Sequence, residues 1–132
     1  GVAIYSTAPA QSTLPMSGTS QAAPFVTNVI SLIKDLNPKL TSAEIKQIIL
    51  TTVDKKEWLK GKVATSGIVN KERALKAAEL TLKTSVVDAI KMANLLIGDV
   101  IVPEQKSNPN AVSTKGLKLN FKPYRPSLII AK

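Results

Sequence analysis

A chain of 132 residues with no cysteine, no histidine and a formal charge of +9 excludes much chemistry before any motif is read. Without Cys there is no disulfide scaffold, thiolate metal site or cysteine nucleophile, and without His the chain lacks the imidazole base and the commonest metal ligand. At 44% apolar residues it can bury roughly two thirds of its unfolded surface, so global disorder is excluded and its own chemistry falls to Ser, Thr, Lys, Tyr and carboxylates.

In chain order, Val2-Ala3-Ile4-Tyr5-Ser6-Thr7 is a short β-prone run that Ala8-Pro9 ends. The Pro-, Ser-, Thr- and Gln-rich stretch from Pro9 to Gly18 predicts a loop or a short irregular hairpin. From Ser20 to Leu36 apolar residues surround most of a helical cylinder, which predicts a buried helix that stops at Asn37-Pro38. No Asp, Glu, Lys or Arg occurs from Gly1 to Ile33, yet no stretch approaches the ~20 consecutive apolar residues of a membrane span. Such a segment reads as protein interior, to be covered by other protein. No signal-peptide pattern and no initiator Met are present, so the sequence reads as a mature or internal piece.

Thr41-Ser42-Ala43-Glu44 is a capping box, and Ile45, Ile48, Ile49 and Val53 then fall on one stripe of a second, amphipathic helix. A basic, polar connector runs from Asp54 to Ser66, followed by a short extended step at Ile68-Val69. Asn70 can cap a third helix with Ala74, Leu75, Ala78 and Leu82 inward. Ser85 with Asp88 resembles another cap, opening a fourth helix whose Val86, Ile90, Ala93 and Ile97 share a face and which ends at Gly98. Beyond it, strands are expected at Asp99–Pro103, at 117–122, where apolar residues alternate with polar ones, and at 127–131. The boundary between a main domain, 1–98, and a β-prone extension, 99–132, falls in this region.

The stretch richest in chemistry is Ser17-Gly18-Thr19-Ser20-Gln21-Ala22-Ala23-Pro24, a glycine turn that feeds a hydroxyl pair into the start of an apolar helix. A serine there meets unpaired backbone N–H groups and the positive end of the helix dipole, both of which stabilise an anion forming on an attached acyl group. Gly18 offers close approach and unusual backbone angles, and Pro24, lacking an N–H, leaves the Ser20 carbonyl without its helical partner. Taken alone, the pattern is better read as a Thr19 or Ser20 that does no more than cap a helix, with Pro24 only an early-helix proline.

The longer string Gly18-Thr19-Ser20-Gln21-Ala22-Ala23-Pro24-Phe25-Val26 resembles the nucleophile segment of the subtilisin-like serine proteases, G-T-S-M-A-[AS]-P-H-V-A-G. Val2-Ala3-Ile4-Tyr5-Ser6-Thr7 is similar to the family's G-V-x-I-x-S-T strand. Asn37-Pro38-Lys39-Leu40-Thr41 with Glu44-Ile45-Lys46-Gln47 resembles its next helix pair, and Gly67-Ile68-Val69-Asn70 with Ala74-Leu75 its G-x-[VL]-[ND] ending. Four segments in the right order cover residues 1 to about 80.

The resemblance implies an α/β fold, the C-terminal part of a three-layer sandwich around a mostly parallel sheet, with a short β-rich tail. It implies Ser20 as the acylating nucleophile, its backbone N–H as one oxyanion donor, and peptide or protein as substrate. The family's Asp and His precede the serine. Asp35, Asp54, Asp88 and Asp99 all follow Ser20, so the triad is completed only by an upstream protease chain or segment, and the isolated chain is expected to fold poorly and be nearly inert. No cofactor is implied in this chain, calcium belonging to the upstream part if anywhere, and the localisation implied is secreted or extracytoplasmic. Gln21 stands in place of the usual Met, Phe25 in place of a non-catalytic His, and Thr27-Asn28 in place of Ala-Gly; none removes the hydroxyl. A non-catalytic structural or binding remnant of the same fold is the alternative.

Nucleic-acid binding is the rival suggested by charge. The basic set is 16 Lys to 2 Arg, spread from Lys34 to Lys132, and aromatic residues are only 4% of the chain. Base-reading and stacking proteins favour Arg and exposed aromatics, so solvated helix faces account better for the lysines. The densest group, Lys55-Lys56 and Lys60-Gly61-Lys62, reads as an exposed loop or a contact for an acidic upstream half, with polyanion binding the further option.

Overall fold

A computed structural model describes Gly1 and residues 3–100. The strands expected at 117–122 and 127–131 lie outside the described residues, as does most of the extension from 99 onward; Asp99 and Val100 are described and belong to no strand. The described part is mixed α/β. Strands β1 (Ile4–Ala8) and β2 (Ser12–Met16) precede helices α1 (Thr19–Leu36) and α2 (Ser42–Thr51). Two-residue strands β3 (Asp54–Lys55) and β4 (Gly67–Ile68) follow, with a 3₁₀ turn at Glu57–Leu59 between them, and then α3 (Lys71–Leu80) and α4 (Val86–Leu96).

The stretch 9–18 forms a hairpin: β1 pairs antiparallel with β2, Ile4 opposite Met16 and Ala8 opposite Ser12. The pair β3 and β4 is also antiparallel, Asp54 opposite Ile68. No parallel strand pair occurs among the described residues. The basic connector is therefore less irregular than its composition suggests, because Asp54 and Lys55 find a partner strand at Gly67 and Ile68.

Helices α2, α3 and α4 begin where the sequence places their caps. Thr41 accepts the Glu44 amide and Glu44 reaches back to the Thr41 amide at 2.7 Å, the reciprocal pair of a capping box. Asn70 accepts the Arg73 amide at 2.9 Å and Ser85 the Asp88 amide at 3.2 Å. At the end of α1, Lys34 Nζ donates to the carbonyls of Pro38 and Leu40, both at 2.7 Å, and Asn37 Nδ2 donates to Thr81 Oγ1 at 2.9 Å. The turn into α2 and the end of α3 are thus fixed to the end of α1.

The core lies among the four helices. Helix α3 is central and packs on α1, α2 and α4. Its inward face is Ala74, Ala77 and Ala78, all fully buried, and side chains this small let neighbouring helix backbones come close. Into the remaining space α1 sends Val29 and Ile33, α2 sends Ile45, Ile48 and Ile49, and α4 sends Ile90 and Ala93. Leu82, expected inward, is exposed, because α3 ends at Leu80 and the chain turns away before the helical period can bring Leu82 round.

A buried polar cluster closes one side of this core. Arg73 and Asp54 are each more than nine-tenths buried, with a guanidinium nitrogen 3.2 Å from Asp54 Oδ1. Arg73 also donates to the carbonyls of Val53 at 3.2 Å and Ile97 at 3.0 Å, and to Asp99 Oδ1 at 2.7 Å. Asn70 Nδ2 donates to Asp54 Oδ1 at 2.8 Å, and the Val100 amide to Asp54 Oδ2 at 2.9 Å. No buried side-chain nitrogen or oxygen among the described residues lacks a partner, the condition under which buried charge is tolerated. The cluster ties β3, the start of α3 and residues 97–100 together. Gly67 completes this region: a Cβ there would stand 2.6 Å from Val53 Cγ2, so glycine lets β4 lie close against Val53, just before β3.

Candidate active site

Ser20 is the second residue of α1 and is exposed. The N-cap is Gly18, which has no side chain to offer, and no side-chain hydrogen bond caps the helix. Neither Thr19 nor Ser20 therefore serves as the cap. The Ser20 hydroxyl makes no side-chain hydrogen bond among the described residues, and the first-turn amides have no capping acceptor, so donors and hydroxyl occupy one exposed helix end.

The turn that delivers Ser20 is fixed from behind. Gly1 and Gly18 exchange two bonds, Gly18 N–H to Gly1 O and Gly1 N to Gly18 O, both at 2.9 Å. Gly18 itself has extended backbone, φ 161° and ψ 171°, so the unusual angles expected of it are not used. What it provides is room: a Cβ there would meet Gln21 Oε1 at 2.8 Å. Pro24 lies inside α1, as the sequence requires, and leaves the Ser20 carbonyl without its usual donor.

The helix is not enclosed by this chain. Of its 18 residues only Val29 and Ile33 are buried, while Ala23, Pro24, Phe25 and Ile30 are exposed. The buried helix that the sequence predicts is thus buried only in its second half, because α2 and α3 pack there and the described elements leave the first half open. Between α1 and α2 an open apolar groove, lined by Val26, Ile30, Ile45, Ile49 and Leu50, continues the bare surface.

None of the four aspartates serves Ser20. Asp54 is committed to Arg73, Asn70 and Val100. Asp88, in the first turn of α4, accepts from the Oγ of the capping Ser85 at 2.7 Å, and Asp99 pairs with Arg73. Asp35 is exposed in the last turn of α1, about 22 Å along the helix from Ser20 at 1.5 Å per residue. The hydrogen bond and charge of Arg73 hold the Asp99 carboxyl below its ordinary pKa, and the bonds to the Thr41 amide and hydroxyl do the same for Glu44; both shifts belong to structural contacts.

Arg73 is the residue that sequence reasoning missed. An Arg in the first turn of a helix reads as solvated, and its burial follows from Asp54 and Asp99, 19 and 26 residues away, converging on it. A faint signal exists: it is one of two arginines among sixteen lysines, and it stands three residues after the capping Asn70.

Residues 2–87 match the Subtilase family of peptidases. Subtilisin-like protease 1 of Plasmodium berghei (strain Anka) is 40% identical over 78 residues, 59% of this chain and 13% of that protein. The Plasmodium vivax protein of the same name is 35% identical over 91 residues, 69% of this chain and 14% of that protein. A subtilase cytotoxin component of Escherichia coli is 36% identical over 59 residues, 45% of this chain and 17% of that protein. The chain thus spans about a seventh of the length of these relatives. No helix among the described residues is long and apolar enough to cross a membrane. With the match covering hairpin, serine turn and the first three helices in order, the chain belongs to the subtilase family.

Proposed function

We propose that the chain supplies the nucleophile of a serine endopeptidase, Ser20, and that the His base and its orienting Asp come from polypeptide outside this sequence. The observation that carries this is the state of Ser20: exposed on the first turn of α1, free of any capping duty, within the segment matched to the family. In the reaction Ser20 Oγ attacks the scissile carbonyl carbon and passes its proton to the imidazole, and the carbonyl oxygen becomes an oxyanion. The Ser20 amide and the positive end of α1 stabilise that charge as it forms. The intermediate collapses by breaking the C–N bond, the amine leaves with the imidazole proton, and water then hydrolyses the acyl-serine by the same path. The bare first half of α1 fits a partner that is the upstream protease segment, and an extracytoplasmic site of action goes with the same reading.

The test is labelling of the full-length protein with a fluorophosphonate. The expected result is a single modification at Ser20 that is lost in Ser20→Ala. A folded, complete protein that takes no label at Ser20 would overturn the reading in favour of a non-catalytic relative.

A further inference from the structure

Ser20 lies between two side chains that reach backwards. Ser17, on the N-terminal side of the turn, accepts the Ala3 amide on its Oγ at 2.9 Å, joining the turn to the residue that precedes β1. Gln21, immediately after Ser20, folds its amide over the turn, with Nε2 3.9 Å from Met16 Sδ at the end of β2 and Oε1 in the space that the absent Gly18 Cβ leaves. Neither group caps α1. Both bonds instead connect the serine turn to the β1–β2 hairpin, on either side of the exchanged Gly1 and Gly18 backbone bonds.

An uncapped helix end with an exposed first turn opens readily. A nucleophile cannot tolerate that, since attack requires its oxygen about 3–3.5 Å from the carbonyl carbon, and a displacement of about 1 Å can cost about a hundredfold in rate. We infer that Ser17 and Gln21 are positioning residues which hold the Ser20 hydroxyl and amide against the hairpin. The inference rests on the reading of Ser20 as nucleophile. It also gives Gly18 a definite task, that of making room for Gln21.

The experiment measures fluorophosphonate acylation rate, and kcat and KM on a peptide substrate, for Ser17→Ala, Ser17→Thr, Gln21→Leu and Gly18→Ala in the full-length protein, with thermal unfolding alongside. Ser17→Ala and Gln21→Leu are expected to slow acylation about 5- to 100-fold, a range set by one lost hydrogen bond and by misplacement of the attacking atom. The loss is expected in kcat with KM and melting temperature unchanged. Ser17→Thr, which keeps the acceptor, restores the rate, and Gly18→Ala behaves like Gln21→Leu. Wild-type labelling at Ser20 with unaltered rates in Ser17→Ala and Gln21→Leu would overturn the positioning role alone, as would losses that merely track a fall in melting temperature. Absence of label in the wild type would remove the nucleophile reading and this one with it.

Discussion

The serine end of the molecule and the helical body meet halfway along α1 and are built on opposite terms. From Gly1 to Asn28 the chain carries no charged side chain, and its described residues, none of them fully buried, are held by a hairpin ladder and a few bonds at the Gly18 turn. From Val29 to Val100 apolar side chains bury one another, and a charged cluster is fully paired within the fold. The same helix is bare at one end and enclosed at the other. Hydrophobicity in a sequence says that a face must be covered, and says nothing about which chain covers it.

The contrast can be broken most severely at Arg73. Arg73→Met leaves Asp54 buried and without its cation, and is expected to cost about 3–5 kcal/mol in urea unfolding followed by helix circular dichroism. Next, Ile48→Ala in the closed core is expected to cost about 2–5 kcal/mol, whereas Phe25→Ser at the open end, measured on this chain without a partner over α1, shifts stability by about 0.5 kcal/mol or less. The pair sharpens the comparison directly, since equal effects from Ile48 and Phe25 would abolish it. Gly67→Ala forces Val53 to move and is expected to cost about 1–3 kcal/mol by the same measurement.

Acid provides the mildest probe. The folded pKa values of Asp99 and Glu44 are depressed, so the folded state takes up these protons less readily than the unfolded chain. The stability they contribute is present above their ordinary values of 3.8 and 4.5 and is lost as pH falls through the lower folded values. The urea midpoint is expected to fall below about pH 4, and to fall less steeply in Asp99→Asn.

What the sequence disclosed follows the same division. Helix starts at Thr41, Asn70 and Ser85 were legible because a cap is a bond between residues three apart. The stripe of Ile45, Ile48 and Ile49 was legible because the helical period places those residues together, whereas Val53, expected on the same stripe, is buried but lies past the end of α2 at Thr51. The hairpin was only half legible: its three-residue connection passes through Ala10 and Gln11, both at positive φ, without a glycine to mark such a turn. Arg73 was not legible, since its surroundings are assembled from three separate stretches of chain. At the site, the residue types and their order pointed to Ser20, while the bonds from Ser17 and Gln21 depend on where the hairpin brings Ala3 and Met16.

The cluster around Arg73 also has a mechanical meaning. Each residue from Ile97 to Val100 is gripped by a side chain of the body: Ile97 and Asp99 by Arg73, Gly98 by Asn70, and Val100 by Asp54 on its amide and Lys56 on its carbonyl at 3.0 Å. A pull applied to the backbone at Val100 is therefore borne first by these bonds, before it reaches α4. Tension at that point loads the fold through a buried and fully paired polar cluster.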